Sequence, residues 1–150
     1  MDAVTYPDEH VIEFMNEHIV PVRVNISSEP LPQQFNVQWT PTLVLLDTEQ
    51  KEHHRIVGWL ATEELIASLF LGIGKSQLDH GELSTAATTL DRLLADYAAT
   101  DAAPEAQYLR GVVAFKETGD LQALKEMREQ LVAKYPASEW TKRASVYQAA

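Results

Sequence analysis

The sequence predicts an α/β first half that continues into an all-helical second half. Three observations support this division. Residues 20–26 have the composition of a β-strand, the apolar run 43–46 follows a Thr40-Pro41 turn, and the sequence from Phe70 onward repeats itself. A chain of 150 residues has room for one ordinary domain or two small ones. The patterns therefore predict two parts of different architecture.

The first predicted elements are a helix, a strand and a second, short helix. Acidic residues from Asp8 onward open an apolar helical pattern that ends near His18, because negative charge stabilises the start of a helix. Residues 20–26 are rich in valine and alternate enough for a strand, with Pro21 at its start, where a missing backbone donor is tolerated. The polar segment 27–36 is expected to form a short helix.

Two strands and a long helix complete the first half. The continuous apolar run 43–46 predicts a central strand that is buried on both faces. Residues 53–59 follow a turn-like segment and are predicted to form a strand antiparallel to it. Thr62 then caps a helix that carries Glu63 and Glu64 in its first turn and extends to about residue 80.

The second half aligns with itself when it is shifted by 38 residues. The shift superimposes Gly81 on Gly119 and Tyr97 on Tyr135. Self-similarity at this period predicts stacked helical hairpins, each entered by a Gly-acid-Leu turn. A final helix over residues 138–147 is expected to close the stack.

The composition disfavours several classes of partner. The net charge of −10 makes nucleic acid improbable, because phosphate binding requires clustered Lys and Arg. The longest apolar run is far shorter than the roughly 20 residues that cross a bilayer, so no membrane partner is expected. The first residues carry neither a basic segment nor an apolar signal core, and the cytoplasm is therefore the expected location.

No catalytic, cofactor or metal site is predicted from the residues. His53 and His54 are adjacent, so on a strand they point to opposite faces, and ordinary solvent-facing histidines are expected. His10 and His18 lie too far apart on one helix to share an ion. The chain contains no cysteine, and because a thiolate is the nucleophile of thiol-disulfide exchange, this chain cannot carry out that reaction.

Two parts of the chain resemble known families. The segment VQWTPT at residues 37–42, with the apolar run that follows, resembles the proline loop and next strand of the thioredoxin-like family, and this likeness covers residues 1–75. Residues 76–150 resemble tetratricopeptide repeats. The positions that match or approximate the tetratricopeptide spacing are Phe70, Gly74, Gly81, Ala86, Leu90, Tyr108, Phe115, Gly119 and Pro136. The resemblance implies a thioredoxin-like domain followed by tetratricopeptide-like helical hairpins.

The thioredoxin-like resemblance also implies a binding site. In that family the proline of the loop is cis, and the residue before it offers its backbone to an extended peptide. This carries over to Trp39, Thr40 and Pro41. Gly58 matches a glycine that lies near the same groove. Trp59 either belongs to the site or packs in the core, and we expect it to pack in the core.

The chain departs from the thioredoxin-like family in one respect. The family has a Cys-x-x-Cys segment before its first helix, and this chain is expected to begin just after the place where that segment would stand. The strand before the cysteines would then be missing between strands 20–26 and 43–47. Either these two strands pair directly, or another copy of the chain covers the gap, and the second repair is favoured.

These expectations lead to a functional hypothesis. The chain is predicted to be a non-catalytic protein-interaction module, with a redox-inactive thioredoxin-like part and helical repeats, that forms a homo-oligomer. The alternative is an incomplete form of a thiol-disulfide oxidoreductase whose cysteines lie upstream of Met1. A third possibility is a structural assembly protein, in which the self-pairing surfaces are the function.

Overall fold

The computed structural model describes residues 1, 3–28 and 30–148, and it combines many helices with one small sheet. Contacts divide the chain into two compact units, Met1–Ile66 and Ala67–Ala150, so the division falls earlier than the boundary at residue 75 expected from sequence. The first unit contains the sheet, and the second is helical. None of the described helices is long and apolar enough to cross a bilayer.

Helix α1 spans Glu9–His18 and ends where the sequence predicts. Asp8 is its N-cap, and its carboxylate accepts a hydrogen bond of 3.0 Å from the backbone N–H of His10. Such a cap satisfies one of the amides that the first turn leaves without a partner. The apolar face buries Val11 and Phe14.

A short helix and a β-hairpin follow. Helix α2 spans Leu31–Gln34, within the segment predicted to be helical. Strand β1 spans Thr42–Leu46 and pairs antiparallel with β2, which spans Glu52–Val57, as predicted. Asp47 fixes the turn between them, because its carboxylate accepts hydrogen bonds of 2.9 Å from the backbone N–H groups of Glu49 and Lys51.

Two predictions about the sheet are wrong. Residues 20–26 form no strand, and the sheet contains only β1 and β2 among the described residues. The physical reason is that strand propensity is expressed only where a neighbour supplies ladder hydrogen bonds, and no strand of the described residues pairs with this segment. Strand β1 is accordingly not central, and its five residues are half-buried rather than buried on both faces. Direct pairing of 20–26 with β1, one of the two expected repairs, is not observed.

Helix α3 spans Thr62–Asp79, close to the predicted extent, and the division between the units falls within it. Thr62 is the first residue of the helix. Its hydroxyl donates a 3.2 Å hydrogen bond to the Asp8 carboxylate, which thus joins the starts of α1 and α3. In the second unit, the remaining helices are α4 (Leu83–Asp96), α5 (Ala103–Thr118), α6 (Gln122–Lys134), α7 (Glu139–Arg143) and a final 3-10 turn (Ala144–Gln148).

The sequence repeat has a matching backbone geometry. Gly81 and Gly119 precede α4 and α6 with φ angles of 75° and 72°, a left-handed conformation that glycine adopts without steric cost. At the other end of each helix, the N–H of Tyr97 and that of Tyr135 each donate a 2.8 Å bond to the carbonyl four residues earlier. The two stretches that the 38-residue shift relates therefore have similar backbone geometry at both ends of their helices.

A compact apolar cluster closes the second unit. Its buried members are Leu124, Met127, Leu131 and Ala144. Aromatic side chains from α5, the end of α6 and the C-terminal turns pack against it, namely Tyr108, Phe115, Tyr135, Trp140 and Tyr147. Burial of this kind supplies most of the stability of short helices, which are marginal on their own.

Candidate functional site

The Thr40-Pro41 peptide bond is cis, as expected from sequence, and leads directly into β1. The loop is held by a local hydrogen bond of 2.7 Å, in which the Thr42 hydroxyl donates to the carbonyl of Trp39. Thr40 and Trp39 are exposed, whereas Pro41 is half-buried. The loop therefore has a fixed backbone and presents two side chains to solvent.

Gly58 lies opposite this proline. Its N–H donates a 2.9 Å hydrogen bond to the carbonyl of Pro41, which extends the ladder of β1 and β2 by one pair. Gly58 has a φ of 97°, and a Cβ at this position would meet no atom within 4 Å. The left-handed backbone and the open space around it are compatible with a surface where another chain approaches closely.

The two tryptophans on either side of this pair are exposed. Trp39 is 73% and Trp59 is 60% accessible to solvent. The expectation that Trp59 packs in the core is wrong, because β2 ends at Val57 and the left-handed Gly58 redirects the chain before Trp59. The five residues predicted as a peptide-binding edge thus occupy one end of the hairpin, where large apolar surface is accessible.

The free side of β1, which faces away from β2, presents backbone groups close to this end of the hairpin. Hydrogen-bonded and non-hydrogen-bonded pairs alternate in an antiparallel ladder, and the bond that closes the ladder fixes the alternation. Leu43 and Leu45 therefore turn their backbone groups towards β2, whereas Thr42 and Val44 turn theirs away. Within the described part of the chain, the N–H and C=O groups of Thr42 and Val44 have no backbone partner.

Thr42 and Val44 are candidate site residues that motif reading alone does not find. Thr42 ends the VQWTPT segment and Val44 belongs to the apolar run 43–46, and which residues of β1 face outward depends on the register of the hairpin. The bond from the Gly58 N–H to the Pro41 carbonyl fixes that register, and nothing in the sequence indicates it.

The other end of the hairpin contains a buried polar pair. A ring nitrogen of His53 lies 2.8 Å from a carboxylate oxygen of Asp47, and the His53 side chain is buried. The prediction that His53 faces solvent is therefore wrong. The same carboxylate serves the turn amides, so one side chain fixes both the turn and the histidine.

This arrangement makes the stability of the hairpin depend on pH. Hydrogen bonding to His53 first, and to the backbone N–H groups of Lys51 and Glu49, lowers the pKa of Asp47 from 3.8 to about 2. A lowered pKa in the folded state means that the ionised carboxylate stabilises the fold. This contribution is fully present above pH 3.8 and disappears as the pH falls towards 2.

We therefore expect the Asp47→Asn variant to be less stable than the wild type at neutral pH, with a difference that narrows between pH 3.8 and about 2. The measurement is urea unfolding at a series of pH values. Glu13→Gln, which removes an exposed carboxylate of α1, is the matched control. A difference between wild type and Asp47→Asn that does not change with pH would contradict the assigned role of the carboxylate.

The helical unit contains a groove of about 420 Å³ between α4, α5 and α6. Its walls are joined by an ion pair of 2.8 Å between Arg110 and Asp91 and by an amide hydrogen bond of 2.7 Å from Gln107 to Gln130. Since these polar groups already bond to one another, the groove resembles a packed helix interface more than a prepared ligand site.

Comparisons with known proteins give no independent assignment. No family model matches the chain, and neither a curated protein nor a solved structure matches it significantly. The functional conclusion therefore depends on the geometry of the hairpin described above.

Proposed function

We propose that this chain is a non-catalytic protein-interaction module that binds an extended polypeptide segment along the free side of β1. The observation that carries the proposal is the open backbone edge of Thr42 and Val44 beside the exposed Trp39 and Trp59. In this proposal the module combines a redox-inactive thioredoxin-like part with helical repeats.

Strand addition explains how such an edge would bind. An extended segment that lies beside β1 forms main-chain hydrogen bonds with Thr42 and Val44, which give affinity without regard to sequence. Side chains of the segment that reach the end of the hairpin contact Trp39 and Trp59. Exposed aromatic residues are frequent anchors in interfaces because they bury a large area with few rotatable bonds.

The net charge of the chain limits which peptide segments are expected to bind. With a net charge of −10, the chain repels acidic peptides at moderate ionic strength. The edge itself is formed by threonine, valine and tryptophan, which favour apolar and β-branched side chains in a paired strand. The expected partner is therefore a neutral or basic segment with alternating β-branched residues.

A titration with a fluorescent peptide of alternating valine and threonine tests the proposal. We expect the peptide to bind, and we expect Trp39→Ala and Trp59→Ala each to weaken binding by about tenfold or more, which is typical of aromatic anchors. Leu121→Ala removes an exposed apolar side chain of the helical unit and is the control. Binding that both tryptophan variants retain unchanged, or no binding at millimolar peptide, would contradict the proposal.

A further inference from the structure

Residues 20–26, the valine segment, have the sequence pattern of a strand but pair with no strand of the described residues. The segment has no regular secondary structure, yet Val20, Val22, Val24 and Ile26 are all exposed, the first two at 89% and 76%. Large apolar residues at every second position predict a strand with one apolar face. The segment therefore has the residue pattern of a strand that could be added to a sheet, although it forms no strand in this structure.

Pro21 fixes the side of the valine segment that could pair. In a strand, alternate residues direct their backbone groups to opposite sides, and Pro21 has no N–H to donate. The side formed by Val20, Val22, Val24 and Ile26 retains every donor. Only that side can supply a complete row of hydrogen bonds to a neighbouring strand.

The donor segment and the acceptor edge belong to the same unit but do not pair within one copy. The valine segment lacks a partner strand, and the outward groups of Thr42 and Val44 lack a backbone partner, both within the described residues. Unpaired edges of this kind recruit strands from other chains.

We propose that the partner bound at β1 is the valine segment of a second copy of this chain. This inference rests on the proposed function, because it assigns an occupant to the same edge. Each copy has one donor segment and one acceptor edge. Reciprocal exchange therefore satisfies both and closes the assembly at two copies, whereas one-way addition would continue into longer chains.

The primary experiment is sedimentation equilibrium of the full chain at micromolar concentration, with two proline variants. We expect the wild type to have the mass of two chains, Val22→Pro to have the mass of one, and Arg23→Pro to remain paired. Both variants place proline in the same irregular segment, but only Val22→Pro removes an N–H from the pairing side. A wild-type mass of one chain, or equal behaviour of the two variants, overturns the proposal.

Disulfide formation between copies is a second measurement, and it detects the pairing itself rather than the loss of pairing in a variant. The chain has no cysteine, so Val20→Cys, Val22→Cys or Val24→Cys in one copy and Val44→Cys in another supply the only thiols in each mixture. We expect oxidation to cross-link Val44→Cys to the one of these three variants that lies opposite it. Val22→Cys mixed with Ser84→Cys, an exposed position on α4, is the control. Cross-linking that is no greater than in this control counts against the proposal.

The two proposals fail in different ways. If the chain is a monomer but binds the valine-threonine peptide through Trp39 and Trp59, the assignment of a second copy is wrong and the interaction function stands. If neither the peptide nor a second copy binds, both are wrong. Circular dichroism of each variant shows whether the helical content is retained, so that loss of pairing is not confused with loss of folding.

Discussion

Replacement of Leu131 by alanine is expected to lower the free energy of unfolding of the helical unit by about 2–5 kcal/mol. Leu131 is completely buried at the centre of the cluster formed by Leu124, Met127 and Ala144. The substitution removes three carbons, Cγ and the two methyl groups, from a packed interior and leaves a cavity that the surrounding helices fill only partly. The measurement is urea denaturation followed by far-UV circular dichroism.

The neighbouring residue and the sequence repeat provide matched comparisons. Val132→Ala changes a 45% exposed side chain on the same helix and is expected to stay within about 0.5 kcal/mol of the wild type. Leu93→Ala, at the equivalent position of the first repeat and also buried, is expected to cost as much as Leu131→Ala. Similar small effects for Leu131→Ala and Val132→Ala would show that the cluster is not packed as described.

Gly111→Ala is the second substitution with a large expected effect. A Cβ added to Gly111 of α5 would overlap the side chain of Met127 on α6 at its Cβ, which cannot rotate away. The two helices must separate to accept it, and overpacking of this kind costs about 1–3 kcal/mol even though alanine favours helices more than glycine does. Thermal unfolding measures the effect as a lower Tm.

Gly74→Ala is the control for this prediction. A Cβ at Gly74 of α3 would lie 2.9 Å from Cδ2 and 3.2 Å from Cγ of the buried Leu90, so the end of one side chain, rather than the Cβ of a facing helix, must shift. The higher helix propensity of alanine, about 1 kcal/mol over glycine, then offsets much of the cost. We expect Gly74→Ala to destabilise the helical unit less than Gly111→Ala does. Equal destabilisation by the two variants would contradict the close approach of α5 and α6 at Gly111.

The elements that sequence predicts well are those with local causes. Asp8 caps α1 through its own side chain, and Gly81 and Gly119 adopt the left-handed conformation that only glycine tolerates easily. Such features depend on residues within a few positions of each other. Strand formation at 20–26 depends instead on a distant partner, and a sequence rich in valine cannot indicate that the partner is lacking.

The candidate site also combines a feature that follows from local sequence with features that depend on the fold. The cis Thr40-Pro41 bond follows from a resemblance over a short segment, and the structure contains it. The burial of His53 and its pairing with Asp47 depend on the register of the hairpin, and the exposure of Trp59 depends on the φ of Gly58. The residue types alone determine neither the register of the hairpin nor the φ of Gly58. The prediction that Trp59 packs in the core and the prediction that His53 faces solvent are wrong for this reason.

Hydrogen exchange of individual amides in β1 tests the central claim most directly, namely that the free side of this strand accepts an extended segment. In the Val22→Pro variant we expect the amides of Thr42 and Val44 to exchange much faster than those of Leu43 and Leu45, which bond to β2. Addition of a peptide with the sequence of the valine segment should then slow exchange at Thr42 and Val44. Equal protection of all four amides without the peptide would show that the edge is already covered, and would contradict the account.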